Sequence, residues 1–377
     1  MNQYIKEHFL YLTRNSKYPG LDLLRTIAVL SVVFFHTIYN EKLSTSIFRI
    51  GWIGVDLFFV LSGFLVGGIL FDMYKKNSYN LRTFYIHRFL RIYPVYVFIL
   101  FFTIAFNYWQ NRIDSSMNDI VMQFILNLSL LHTYFDFLFG FDINPYFNVG
   151  GGWSLAIEWQ FYLLFPLFFW LILKKYFHQP KKTLMILFLI FLSGIFVRLI
   201  ATSNVMANDS NWYFAHVVRF HFRFDELIAG VFIAILVKSK SYIPNKNILI
   251  FIGLSILLLC ILYLFHYPQY LTYPNTMTFE TIWYPTFLGI AFASIVLSSY
   301  NIDFTNKYIN VLARLSYSIY LVHLLLIKLP FHIFSFEGNI IIRLFLILLI
   351  SYLVNIAIEY PFLRLYKSNN QIQKAEK

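Results

Sequence analysis

Apolar runs of about 20 residues, separated by short polar or basic stretches, recur along almost the whole chain, and that is the length a helix needs to cross a bilayer core. By hydropathy the spans fall at 21 to 39, 51 to 71, 93 to 109, 155 to 174, 183 to 201, 213 to 237, 247 to 266, 282 to 299, 308 to 329 and 339 to 361, with an eleventh candidate at 119 to 135. The pattern predicts an all-α fold, a polytopic membrane bundle of about ten transmembrane helices. Composition excludes the other classes. Of 377 residues, 59% are hydrophobic and 13% charged, whereas soluble domains carry about 25% charged residues. A disordered chain, a coiled coil and a nucleic-acid-binding module are thereby ruled out. The net charge of +12 fits short cytoplasmic loops rich in Lys and Arg better than a polyanion partner. The single cysteine, Cys260, lies in an apolar run, so neither an internal disulfide nor a cysteine metal cluster is available.

Basic residues set the expected topology, because Lys and Arg near helix ends favour the cytoplasmic side. The N-terminus, with Lys6, Arg14 and Lys17, lacks a small-residue cleavage site after a short apolar stretch and reads as a retained cytoplasmic segment, residues 1–20. If 119 to 135 does not cross, the loops holding Lys75, Lys76, Arg82, Arg88 and Arg91, then Lys174, Lys175, Lys181 and Lys182, then Lys238, Lys240 and Lys246, all fall inside, as do Lys307, Arg364 and Lys367. The loops near Asp209 and Glu280 fall outside with almost no basic residues. The expected arrangement is therefore a membrane domain over 21–361 with ten spans, an external or re-entrant segment over 119–152, a cytoplasmic tail over 362–377 and both termini cytoplasmic. No internal repeat, low-complexity tract or domain linker is visible.

A charge near the bilayer centre costs at least about 2.5–3.5 kcal/mol on insertion scales, so ionisable residues inside spans mark functional or pairing positions. Arg25 and His36 lie on the first span, Asp56 on the second, Glu158 on the fourth, Arg219, Arg223, Asp225 and Glu226 on the sixth, and His323 on the ninth. Eleven residues at about 100° each leave Arg25 and His36 within about 20° of one another, roughly 16 Å apart along one helix face. An extended pantetheine arm covers a similar distance. A guanidinium at the cytoplasmic mouth can thus hold coenzyme A phosphate while an imidazole meets the thioester; the plain alternative is an anchoring Arg and a packed His. Asp56, in GWIGVDLFFVLSGF, enters from outside at a depth near His36, where a carboxylate can fix the imidazole tautomer, or it simply pairs helices. Gly54, Gly63, Gly67, Gly68 and Ser62 on the same span permit close approach of another helix or of a substrate.

In HRFLRIYP, Arg88 and Arg91 share one side of a helix or turn on the same face of the membrane as Arg25, either as ordinary positive-inside anchors or as a phosphate clamp. In GGGWSLAIEWQFYLLFP, Trp153, Ser154, Glu158, Gln160 and Tyr162 run inward from the outer boundary. Glu158 can orient an acceptor hydroxyl, pair with an Arg of the sixth span, or act as a base. The four charges of RFHFRFDELIAG, including Arg223, can neutralise one another. His323 in LSYSIYLVH and Glu359 in IEYP can pack or line a cavity. There is no G-x-S-x-G nucleophile elbow, H-E-x-x-H zinc motif, Walker loop or dinucleotide fingerprint, so no metal or nucleotide engine is expected.

Taken in order, LDLLRTIAVLSVVFFH, GVDLFFVLSGFL, the R-x-x-R of HRFLRIYP, GGWSLAIEWQFYLLFP, RFDELIAG and LSYSIYLVH resemble the acyltransferase-3 family of bacterial integral-membrane acyltransferases over nearly the whole chain. The resemblance implies acetyl-CoA or a related acyl-CoA as cytosolic donor, a surface or lipid-linked carbohydrate hydroxyl as acceptor, and a multi-pass protein of the bacterial inner (cytoplasmic) membrane. It makes Arg25 with His36 the most important pair and suggests roles for Arg88, Arg91 and Glu158. Many members carry a fused extracytoplasmic SGNH hydrolase-like domain. The chain read here ends just after its last span, so direct transfer or a separate extracytoplasmic partner is expected. The expected roles are His36 as base, oriented by Asp56 and acting with Glu158; Arg25, Arg88 and Arg91 at the donor; and Trp153, Ser154, Tyr162, Arg223 and His323 at the acceptor. A transporter, or a glycan export protein without transfer chemistry, is the reading from another class.

Overall fold

The computed structural model describes residues 2–39, 47–110, 116–134, 149, 151–202, 218–266, 279–328 and 340–365. Twelve helices occur among them: α1 Asn2–Thr13, α2 Pro19–Tyr39, α3 Gly54–Lys75, α4 Leu81–Trp109, α5 Met117–Leu128, α6 Gly152–Leu171, α7 Pro180–Thr202, α8 Phe220–Lys238, α9 Lys246–His266, α10 Phe279–Ser299, α11 Lys307–Lys328 and α12 Ile340–Val354. A short 3-10 turn, Ile47–Ile53, leads into α3, and α12 passes through a π-helical turn, Asn355–Glu359, before continuing to residue 365. The described residues contain no strand. The loop near Asp209, the Glu280 side chain, Gly150, Lys367 and the greater part of 135–150 lie outside the described residues.

Nine of these helices are long and apolar enough to cross a membrane. The remaining expected span, the sixth, corresponds to α8, which has 19 residues but carries Arg223, Asp225, Glu226 and Lys238. It lies inside the bundle, and its first three charges are almost wholly excluded from solvent. Helix α5 has only 12 residues, about 18 Å, too short to cross. Its last carbonyls, which no helical turn can satisfy, are taken by neighbours: Tyr93 and Tyr96 of α4 donate to Leu128 and Asn127 at 3.1 and 2.9 Å, and Gln160 of α6 donates to Leu130 at 3.1 Å.

The hydropathy boundaries hold best where an apolar run stops abruptly and fail where a polar stretch stays helical. Helix α4 begins about three turns before the expected start because Asn80 caps it, its side chain accepting from the Thr83 amide at 3.0 Å, and because Pro94 is tolerated inside the helix. Helix α1 was not anticipated. It docks through Arg314, which donates to the Leu12 carbonyl at 2.7 Å, and through Tyr4, which donates to the Ile356 carbonyl at 2.6 Å. Glu7 meets Arg364 at 2.9 Å, so the N-terminal helix and the end of the last helix lie at the same end of the bundle.

Helices α3 and α8 form the tightest contact. A Cβ on Gly63 would overlap the Leu227 carbonyl, and one on Gly230 would overlap the Val60 carbonyl. Small residues at these two positions let the backbones touch, which is how helices associate where lipid removes the hydrophobic drive. Lys238, at the end of α8, reaches Asp72 at the end of α3 at 2.5 Å, which fixes the axial register of the pair.

Candidate active site

A cavity of about 230 Å³ runs between α2, α3, α4, α6 and α11. Along α3 its lining extends from Val55 to Ile69, a rise of about 21 Å. Arg25 of α2 and Arg88 and Arg91 of α4 all line it, so three cations from two helices converge as the R-x-x-R spacing and the second turn of α2 allow. Each is partly balanced. Arg25 contacts Asp22 at 3.2 Å and keeps its side chain 22% exposed. The Arg88 guanidinium lies 4.8 Å from the Tyr162 ring centroid, near enough for a cation–π contact, with Glu158 in electrostatic reach. Arg91 has both Glu359 and Glu158 in electrostatic reach.

On the opposite wall, Tyr162 donates to Glu158, one helical turn away, and pairs with the Ser62 hydroxyl at 2.7 Å. The three groups are thus locked in one network across α3 and α6. Further along the cavity Ser154 meets the Tyr320 hydroxyl at 2.5 Å. Ser154 also donates to the Gly151 carbonyl at 3.0 Å; Gly151 sits at φ +74°, a left-handed conformation suited to glycine that turns the chain into α6. Trp153 packs edge-on against Phe59 with centroids 6.2 Å apart and is not part of the cavity lining.

His36 does not line this cavity. Its ring stands against His323, with centroids 5.1 Å apart, and His323 in turn lies 5.6 Å from the Tyr320 ring. Tyr320 thus both lines the cavity and neighbours His323. The cavity that Arg25 lines does not extend to His36.

Two expectations need correction. Asp56, expected to orient His36, pairs with another group: its carboxylate accepts from Arg223 at 2.5 Å, because α8 presses against α3 and brings a guanidinium to it. Arg223, expected at the acceptor, does not line the cavity. It also holds Glu226 at 3.1 Å, and all three groups are excluded from solvent. A buried charge is tolerated only when paired, which accounts for the arrangement. A second pair missed by the sequence reading lies nearby. Arg198 of α7 grips Asp225 with two hydrogen bonds, 3.0 and 2.7 Å, and also donates to the Phe222 and Ile282 carbonyls and to Thr286. Its signal was present as a lone Arg within the apolar run FVRLI.

Sequence reasoning also missed the cavity residues Ser316, Tyr317 and Tyr320. These polar groups lie on α11 within LSYSIYLVH, where their spacing of three and four residues puts them on neighbouring faces. Glu359 is buried at the π-helical turn, accepting from Ser318 and Asn355 at 2.7 Å each. Such turns often occur at functional sites.

Comparison with known proteins identifies relatives of the chain. A relative in Haemophilus influenzae, an uncharacterized protein, is 31% identical over 246 residues, covering 55% of this chain and 94% of that protein. The peptidoglycan O-acetyltransferase OatA of Listeria monocytogenes is 39% identical over 176 residues, 45% of this chain and 26% of its own length. The O-acetyltransferase OatA of Staphylococcus aureus is 26% identical over 360 residues, 92% of this chain and 56% of its own length. The chain thus spans about half or less of each of these two O-acetyltransferases. No solved structure matches. The family model for an acyltransferase domain matches residues 18–360, from the start of α2 to the π-helical turn of α12, and the chain belongs to this family of membrane acyltransferases.

Proposed function

We propose that the protein transfers an acyl group, in the first instance acetyl, from cytosolic acyl-CoA across the membrane to a hydroxyl of a cell-surface or lipid-linked carbohydrate. Acyl transfer follows from the family, and O-acetylation of a carbohydrate is supported by the similarity to the peptidoglycan O-acetyltransferase of Listeria monocytogenes. The observation that carries the donor assignment is the convergence of Arg25, Arg88 and Arg91 at one end of an elongated, largely apolar cavity. Guanidinium groups bind phosphate oxygens through paired, charge-assisted hydrogen bonds. The cavity's length suits a slender chain leading away from such a head.

Charge supports a cytoplasmic donor end. Arg25 and Arg88 lie in the second turns of α2 and α4, at the end of the bundle shared with Lys75, Lys76 and Arg82, and basic helix ends favour that side. The docked ends of the chain then belong to the same side. His36 acts as the base. The acceptor hydroxyl oxygen attacks the thioester carbonyl carbon, the C–S bond breaks, the hydroxyl proton passes to His36 and the thiolate leaves with the coenzyme. Glu158 and Tyr162 hold the arginine cluster in place from the opposite wall. A transient acyl-imidazole on His36 is the alternative chemical course.

The test is reconstitution of the purified protein in nanodiscs with isotopically labelled acetyl-CoA and surface polysaccharide or its lipid-linked precursor, read by mass spectrometry. An O-linked acetyl increment lost on His36→Ala, with the variant still inserted and folded, is the expected result. Undiminished product from the variant overturns the role of His36. A transporter or export protein would leave both donor and acceptor chemically unchanged.

A further inference from the structure

We propose that His323 is the positioning residue of His36: a neutral imidazole that fixes the tautomer of the base and receives the hydrogen bond of the imidazolium formed during transfer. The inference rests on the reading of His36 as base, and it assigns the role that the Asp56 carboxylate does not fill.

The proton positions follow from the acceptors. His323 is wholly buried on α11, and its Nδ1 lies 2.6 Å from the Tyr320 carbonyl oxygen. A carbonyl can only accept, so Nδ1 carries the hydrogen and, in the neutral ring, Nε2 carries the lone pair. That Nε2 faces Nδ1 of His36 at 3.3 Å. His36 Nδ1 also lies 3.0 Å from the Val32 carbonyl, one turn back on its own helix. The Val32 carbonyl and His323 Nε2 are both acceptors, so His36 Nδ1 carries the hydrogen and shares it in a three-centre bond. In the neutral ring the lone pair of His36 is thereby assigned to Nε2.

The chain of orientation thus runs from the Tyr320 carbonyl to His323 and from His323 to His36. It needs no anion. When His36 gains a proton at Nε2, its Nδ1–H becomes part of a cation, and the bond to His323 becomes charge-assisted and stronger. A neutral partner suits a membrane interior, where a permanent carboxylate would need its own counter-charge throughout the cycle. Asp56 already spends its charge on Arg223. The same segment also couples the base to the cavity, because Tyr320 presents its carbonyl to His323 and its hydroxyl to Ser154.

The experiment compares His323→Gln, His323→Asn and His323→Leu with His36→Gln in full-length protein in nanodiscs, measuring kcat and KM for acetyl-CoA alongside thermal stability. Gln carries its amide oxygen to about the position of Nε2 and preserves an acceptor for His36, whereas Asn reaches only the Nδ1 position and Leu offers none. The expected result is kcat within about fivefold of the wild type for Gln and a fall of about 10–100-fold for Leu and Asn, part of the 10²–10⁴ that a general base supplies. KM stays within about twofold in all three. A packing role predicts the opposite order, with Leu replacing the buried ring better than Gln, and that order overturns the proposal. So does equal activity of Gln and Asn, a comparison that still decides the matter where the Leu variant does not fold. Full activity of His36→Gln removes the base itself. An inactive His36→Gln beside a fully active His323→Leu overturns only the positioning role.

Discussion

Substituting Asp56 separates a structural carboxylate from a catalytic one. Asp56 and Glu226 are both shielded from solvent and share the Arg223 guanidinium, at 2.5 Å and 3.1 Å. Asp56→Asn keeps an oxygen to accept from Arg223 and leaves Glu226 as counter-charge. What is lost is the difference between a charge-assisted and a neutral hydrogen bond, about 1 kcal/mol, a melting shift of no more than about 4 °C. Arg223→Ala instead strands two buried carboxylates, and breaking a buried pair in this way costs about 3–5 kcal/mol. The assay is a thermal melt of the detergent-solubilised protein by size-exclusion chromatography, together with initial rates of transfer from acetyl-CoA. The account predicts a folded Asp56→Asn variant with kcat within about fivefold of wild type and a severe loss of folded Arg223→Ala protein. A carboxylate that orients a catalytic histidine is worth up to about 10⁴ in kcat. A stable Asp56→Asn protein that is catalytically dead would refute the reasoning.

Arg25→Lys should raise KM for acetyl-CoA about 3–30-fold with little change in kcat, because an ammonium cannot reproduce a paired phosphate contact; an unchanged KM in a titration of donor counts against the clamp. Gly63→Val forces a side chain onto the Leu227 carbonyl, so the yield of monodisperse protein should fall sharply, and wild-type yield would show that α3 and α8 tolerate separation. His8 of α1 is buried against Asn355, with a 2.9 Å hydrogen bond, and burial holds its imidazole below the ordinary value of 6.5 despite that bond. A depressed histidine favours the folded state above the unfolded value, and that contribution is lost as pH falls through about 6.5 towards the folded value. Amide exchange in α1 should therefore accelerate between about pH 7 and pH 5, and exchange independent of pH, once corrected for intrinsic rates, would contradict this.

The membrane class, the positions of most spans and the cluster of Arg25, Arg88 and Arg91 were legible because hydropathy and in-span charge act locally along one helix. The three arginines could be matched because each sits near a basic helix end that topology puts on one side. Partner choice was not legible. Asp56 and His36 stand at similar expected depths, yet the glycine contacts that draw α8 against α3 decide that Arg223, not His36, meets the carboxylate. The pairing of His36 with His323 depends in the same way on how α11 sits against α2, which no spacing within either segment reveals. Helix α1 escaped notice because its polar residues hide the tyrosines and His8 that dock it, and hydropathy averages over both.

Equilibrium binding of radiolabelled coenzyme A to the purified protein in nanodiscs tests the donor site without requiring the acceptor. The account predicts saturable binding that is competed by acetyl-CoA and weakened at least about tenfold by Arg88→Ala combined with Arg91→Ala, the loss of one or more charge-assisted phosphate contacts. Coenzyme A binding of undiminished affinity in a correctly folded double variant would contradict the assignment of this cavity to the donor.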